Sequence, residues 1–375
     1  MSPAAEDAFV VGRKFLDGMA AYVERWPGKV TVLVRSGTPA RGMDDVTVRP
    51  GELGFELVVD GDLREMVSRH AVVLGAAGRE QAHVAALCKK ASVPCVYVTE
   101  YTLLTRLQIV FAGTRNPLLR ARRSFWEWRT ERMMRRALRR SAGAQCNGTP
   151  TFRSYKHIVP SPLLFFDTRS SSADMAQDAE LEARLAQLMG NAPLRLAFSG
   201  RLAPMKGADH LIDVARALSA RGVAYTMAIC GDGELASSMR ERIGSLPVEM
   251  RGVLDFKTEL QPFLKSSCDL FVCCHRQGDP SCTYLETMAA GVPIVGYANE
   301  AFVGVNEASG SAGWEVPMNR PELMAQRIAS LTRQEIALAS RKALAFARKH
   351  SCESVFDQRI EHLVQIASAN VRRSV

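Results

Sequence analysis

Arg201 and Lys206 stand five residues apart in Ser-Gly-Arg-Leu-Ala-Pro-Met-Lys-Gly, a segment bounded by Gly200 and Gly207 that follows an apolar run at 194–198. A loop of this kind, leaving the end of a strand, can aim two cations at one diphosphate, the arginine through its fork and the lysine as a point charge. Taken alone, such a pair is usually two surface cations in a polar loop. A second stretch, residues 278–295, reads Gly-Asp-Pro-Ser-Cys-Thr-Tyr-Leu-Glu-Thr-Met-Ala-Ala-Gly-Val-Pro-Ile-Val. Pro280 suits the first positions of a helix and Asp279 its N-cap. Gly291 would close that helix after about three turns, and Pro293 cannot continue it. The amides at such a terminus, with the Thr283 hydroxyl, can hold an anion. A capped core helix accounts for that terminus equally well, while Glu286, further in, is a carboxylate that needs a reason. Gly231-x-Gly233 is a weak signal, mostly of a tight turn. Of the seven histidines none pairs with a Ser or Cys at a telling spacing. His275, nearest the proposed site, reads as a loop histidine without a catalytic task.

These residues need a scaffold, and the chain alternates short apolar strands with helices. In the first half, 8–26 reads as a helix, 30–34, 55–59 and 71–74 as strands, 80–91 as a helix, and 95–98 as a buried strand that leaves Glu100 on the loop side. The second half repeats the grammar. Strands at 194–198, 225–230 and 269–274 and from Ile294 alternate with helices, one of which carries Leu211, Val214, Ala215 and Leu218 on a stripe stopped by Gly222. Residues 304–313 read as a glycine-rich loop. The alternation implies doubly wound parallel sheets, two in tandem, with a cleft at the carboxyl ends of the strands. The polar stretch 168–192 reads as a linker running into a surface helix, with the boundary near 160–190. The chain opens on a helix, with no strand and no glycine-rich turn before it, so either a first strand is dispensable or the natural start lies upstream.

At 375 residues there is room for about two domains. No apolar run approaches the roughly 18 residues of a membrane span, and the acidic residues 1–7 lack the apolar core of a signal peptide. Nine cysteines, two of them adjacent and none spaced Cys-x-x-Cys, argue for reduced thiols in the cytoplasm and against a zinc site. The net charge of +9 is concentrated: ten arginines between 115 and 140 face only Glu127 and Glu131, a local balance of +8. That segment reads as a basic amphipathic helix, with Trp126, Met133 and Ala137 on one face beside Met134 and Leu138. Arg122, Arg123, Arg129, Arg132 and Arg136 would form a patch for anionic lipid or a phosphorylated lipid acceptor on the inner face of a membrane. Nucleic acid competes, but no recognition motif accompanies the patch, and a solvated helix face remains open.

Taken together, the second half resembles the retaining glycosyltransferases of the GT-B fold, the large family four. The matching pieces are Phe198-Ser-Gly-Arg-Leu-x-x-x-Lys206-Gly207, Ile229-Cys-Gly-Asp-Gly-Glu234, Leu260-x-x-Phe-Leu-x-x-x-Cys-Asp269, Leu285-Glu-Thr-Met-Ala-Ala-Gly-Val-Pro-Ile-Val295 and Gly313-Trp-Glu-Val-Pro317, all within 194–345. The resemblance implies an α/β chain of two Rossmann-like domains. Residues 1–165 would form the acceptor side, with a C-terminal helix at about 350–375 packing back on it, and 190–349 the nucleotide-sugar side. It implies that Arg201 and Lys206 bind the donor diphosphate, that Glu286 bonds the ribose hydroxyls, and that Gly200, Asp279, Cys282, Thr283 and Leu254 line the donor site. No metal or other cofactor is implied beside the nucleoside-diphosphate sugar. Where the family places its first motif acid this chain has Gly278, with Asp279 next door. Where many members place a histidine in the first domain it has Glu100, a candidate contact to acceptor or sugar. The expected reaction is sugar transfer to a hydroxyl of a lipid-linked or polysaccharide glycan. A nucleotide-sugar epimerase on the same fold, and a non-catalytic binder of nucleic acid or membrane, are the alternatives.

Overall fold

The computed structural model describes residues 3–5, 8–37 and 45–374. Among them the first half carries nine short strands: β1 (Pro3–Ala5), β2 (Ala8–Gly12), β3 (Thr31–Val34), β4 (Asp45–Val48), β5 (Glu56–Val59), β6 (Val73–Ala76), β7 (Cys95–Thr99), β8 (Gly143–Asn147) and β9 (Pro162–Phe165). Strands β6 to β9 form one parallel sheet in chain order, β3 and β5 form a parallel pair, and β1, β2 and β4 form an antiparallel ribbon. The expected helix at 8–26 is therefore a strand followed by a helix, Arg13–Arg25. Phe9-Val10-Val11 is an unbroken apolar run, which suits a strand as well as a helix. Its partner, with Phe9 opposite Val48, lies far off in sequence.

The second half is one parallel sheet of β10 (Leu194–Ser199), β11 (Tyr225–Cys230), β12 (Val248–Gly252), β13 (Leu270–Cys273), β14 (Ile294–Tyr297) and β15 (Gly313–Val316), ordered β12-β11-β10-β13-β14-β15. Every residue of β13 and β14 is buried, as expected when helices cover both faces.

Two expectations fail here for packing reasons. The stretch 168–192 is no linker: Met175, Ala176, Leu181, Leu185 and Leu188 join the second-half core. In the helix Asp178–Leu188, Arg184 is fully buried and donates to the carbonyls of Leu264 (3.2 Å), Ala290 (3.1 Å) and Gly291. The latter two carbonyls lie just past a helix end, where backbone acceptors lack partners. Residues 304–313 do not begin as a loop either. A helix, Glu300–Ala308, runs through Gly304, with the Asn299 side chain accepting from the amides of Ala301 and Phe302. Gly304 is a packing hole rather than a break: a Cβ there would stand 1.5 Å from the Thr149 hydroxyl, on the helix Gly148–Tyr155 of the first half.

The helix Cys352–Ser374 returns to the first half. Asp357 pairs with Arg25 at 2.7 Å, Arg359 donates to Gln145 at 2.8 Å, and the His362 ring meets the Ser161 hydroxyl at 2.9 Å.

The basic segment is a 24-residue helix, Pro117–Arg140, started by Asn116, which accepts from the amides of Leu118 and Leu119. Met134, Ala137 and Leu138 are buried, together with Glu131, which accepts from Arg106 (2.6 Å), Arg135 (2.6 Å) and the Tyr155 hydroxyl (3.0 Å). Trp126 departs from the expected apolar face: it is exposed, with Arg79 and Arg129 over its ring. Arg122, Arg123, Arg129, Arg132 and Arg136 are all exposed. So are Leu118 (79%), Phe125 (54%) and Trp128 (46%), with Leu104 and Phe111 of the preceding helix Leu103–Gly113. Among the described residues no helix is long and apolar enough to cross a membrane.

Candidate active site

Strands β10 and β13 are neighbours in the sheet although the chain leaves them toward opposite edges, and a crevice opens at such a switch point. The loops 200–207 and 274–282 leave their carboxyl ends there and are locked together. The Arg276 amide donates to Met205 O at 3.1 Å and its guanidinium to Pro204 O at 3.2 Å. Gly207 has φ +60, and a Cβ on it would lie 2.0 Å from Cys274 O. Only glycine allows that approach.

The structure reassigns Asp279. It caps no helix: its Oδ2 accepts from Lys206 Nζ at 2.8 Å. The helix starts later, Thr283–Ala289, with seven residues instead of three turns and no side-chain cap at Cys282. An anion-holding helix terminus at Pro280 is thereby withdrawn. Gly291 does end the helix as expected, at φ +67 with its amide on Met288 O. His275 is sealed behind the cleft against Tyr284 and Phe198, and burial lowers its pKa well below the usual value, so it is neutral.

Between the halves lies a cavity of about 290 Å³. The first half contributes Lys14, Glu100, Tyr101 and Asn147, the connector Asp167 and Arg169, and the second half residues 279–283 and Glu286. It gathers Glu100, Asp279, Cys282, Thr283 and Glu286 as expected. Lys206 reaches it through Asp279; Arg201, Gly200 and Leu254 lie outside its wall. Arg201 is exposed on its loop, and no hydrogen bond or ion pair holds its side chain among the described residues. Gly200 ends β10 with its amide on Cys230 O, and Leu254 packs on the second-half core.

Glu286 is buried and gripped at both oxygens by Arg169, from Nε at 2.7 Å and Nη2 at 3.2 Å. The guanidinium lies 4.3 Å over the Phe256 ring. Across the cavity, Lys14 Nζ bonds Asp167 and, at 2.9 Å, Cys282 Sγ. Burial works against the Lys14 ammonium, but Cys282 and Asp167 outweigh it and raise its pKa. Burial, then Asp167 and Glu286, push the Cys282 thiol up. Glu100 is raised as well, first by loss of water and then by Asp167 and Asp279, and Tyr101 is pushed up to about 12 by burial and then by Asp279 and Glu100. Lys14, Asp167 and Arg169 escaped the sequence reading. Their partners are 115 to 268 positions away, and no local spacing announces such pairs.

Gly278 is buried under the helix Leu103–Gly113. Its carbonyl accepts from Thr105 Oγ1 at 3.2 Å, its amide donates to Gln108 Oε1 at 2.9 Å, and Thr102 Oγ1 donates to Glu300 Oε2 at 3.2 Å. A Cβ at 278 would stand 3.1 Å from Thr105 Oγ1 and 3.3 Å from Glu300 Cβ. A side chain there needs Thr105 and Glu300 to yield by a few tenths of an ångström.

Residues 186–349 match the family model described as Glycosyl transferases group 1. A Salmonella typhimurium protein named as a colanic acid biosynthesis glycosyltransferase, WcaL, is 30% identical over 153 residues, 38% of this chain and 36% of its own length. The alpha-D-kanosaminyltransferase of Streptomyces kanamyceticus is 30% identical over 174 residues, 43% of each chain. The chain thus spans less than half the length of the curated relatives it matches. Among solved structures, HepE of Anabaena in complex with UDP and glucose superposes with a TM-score of 0.62 at 15% identity, over 94% of both chains. WaaG, a glycosyltransferase involved in lipopolysaccharide biosynthesis, superposes with a TM-score of 0.58 at 13% identity, over 95% of this chain and 97% of that one. The fold is GT-B: two Rossmann-like halves facing one cleft.

Proposed function

We propose that this chain is a glycosyltransferase that moves a sugar, with retention of configuration as in family four, from a nucleoside-diphosphate sugar to a hydroxyl of a lipid-linked or polysaccharide glycan during cell-surface polysaccharide assembly. The observation that carries it is the pair of interlocked loops at the β10/β13 switch point, one bearing Arg201 and Lys206, beside a cavity with Glu286 in its wall. A likeness to a structure holding UDP and glucose supports the same reading.

In this reading Arg201 and Lys206, rather than a metal ion, neutralise the diphosphate and stabilise the departing nucleotide. Glu286 accepts from the ribose hydroxyls. The acceptor hydroxyl attacks on the face the leaving group vacates, and the enzyme's contribution is charge and position. Glu100, whose raised pKa makes its carboxylate a stronger base, lines the same cavity and can take the hydroxyl proton. Calorimetry against UDP, GDP, ADP and CMP tests the donor site. One of the four is expected to bind, and a wild type that binds none removes this function.

The exposed arginines with Leu118, Phe125 and Trp128 give an amphipathic surface suited to anionic lipid. Peripheral attachment at the inner face would bring the cleft to a lipid-linked acceptor. The protein is expected to float with vesicles containing anionic lipid and to stay behind with neutral ones. Equal flotation with both would remove the membrane assignment.

A further inference from the structure

We propose that Arg169 is a positioning residue of the donor site: its guanidinium holds and aims the Glu286 carboxylate, and Phe256 fixes the plane of the guanidinium. The inference rests on the donor-site reading above and extends it to the connector between the halves. A two-point grip sets direction as well as attraction, which a single ammonium cannot do. Phe256, whose ring lies 4.3 Å from the guanidinium, stands two residues after Leu254, an expected donor-site residue. Ribose recognition and the path of the connector are thereby tied to one side chain.

Facing Glu286 are Arg169, the Cys282 thiol just before its helix, and, beyond that thiol, Asp167 and Lys14. Gln261 bonds only the Glu286 carbonyl. Among the described residues Arg169 is therefore the cation in direct contact with this buried carboxylate, and its two-point grip sets which way the oxygens face.

The test is calorimetry of Arg169→Met, Arg169→Lys and wild type with UDP and 2′-deoxy-UDP, or with the corresponding GDP or ADP pair if the nucleotide panel selects those bases. Wild type is expected to bind the ribonucleotide about tenfold more tightly than its 2′-deoxy form, the worth of about one hydrogen bond to a charged group. Arg169→Met is expected to bind both forms weakly and about equally, and Arg169→Lys to fall between. An Arg169→Met that keeps the wild-type ratio overturns the proposal, whatever its overall affinity. A wild type that binds both forms alike takes Glu286 off the ribose and overturns the proposal with it. Should Arg169→Met not fold, the wild-type ratio in Arg169→Lys overturns it, because an ammonium cannot reproduce the two-point grip. A wild type that binds none of the probes overturns the donor site itself, a result distinct from binding that ignores Arg169.

Discussion

The double variant Arg201→Ala/Lys206→Ala is expected to lose about a thousandfold in kcat while melting close to wild type. Two charge-assisted contacts to a leaving diphosphate, at about 2 kcal/mol each, make about 4 kcal/mol of transition-state stabilisation, or roughly three powers of ten. The single changes should differ. Arg201 is exposed without a partner among the described residues, so its loss subtracts one cation. Lys206 neutralises Asp279, whose remaining side-chain contact is Gln277 at 3.5 Å, and Asp279 shares the cavity with Glu100 and Asp167. Lys206→Ala therefore turns the wall more negative toward an anionic donor and should be the worse of the two. Single-turnover rates measure this directly. If the double variant stays within about tenfold of wild type, neither side chain touches the departing group.

Gly207→Ala should destabilise by about 4 kcal/mol or more, at the extreme of single substitutions. Part of that, about 1 kcal/mol, is the left-handed backbone, φ +60. The remainder is a collision with the Cys274 carbonyl at 2.0 Å, which a backbone group at the end of β13 cannot avoid by changing rotamer. Gly222 supplies the control, with φ +69 and nothing within 4 Å of its absent Cβ. Gly222→Ala should cost only the backbone part. Urea midpoints with unchanged slopes would separate the two. Equal losses would mean that contact between the loops does not dictate Gly207.

The second half was legible because its strands are dense apolar runs bounded by glycine and proline. The reading at 225–230 matches β11 to the residue, and that at 194–198 misses one residue of β10. Local signals misled where a distant partner claimed the same group. Asp279 before Pro280 has every mark of an N-cap, yet Lys206 takes its carboxylate and the helix waits until Thr283. Gly304 looks like a loop residue until Thr149 of the other half is seen against it. Phe9-Val10-Val11 looked helical because the strand that pairs with it is remote. Motif spacing could single out Arg201, Lys206 and Glu286, of which the cavity takes in Glu286 directly and Lys206 through Asp279. It could not announce Arg169, which meets its acid across 117 positions.

The grip of Thr102, Thr105 and Gln108 on Gly278 and Glu300 makes position 278 part of the seam between the halves. A Cβ there would stand 3.1 Å from Thr105 Oγ1 and 3.3 Å from Glu300 Cβ, so its neighbours must yield by a few tenths of an ångström. Glycine at 278 thus serves the fit of one half against the other, whatever charge the position lacks.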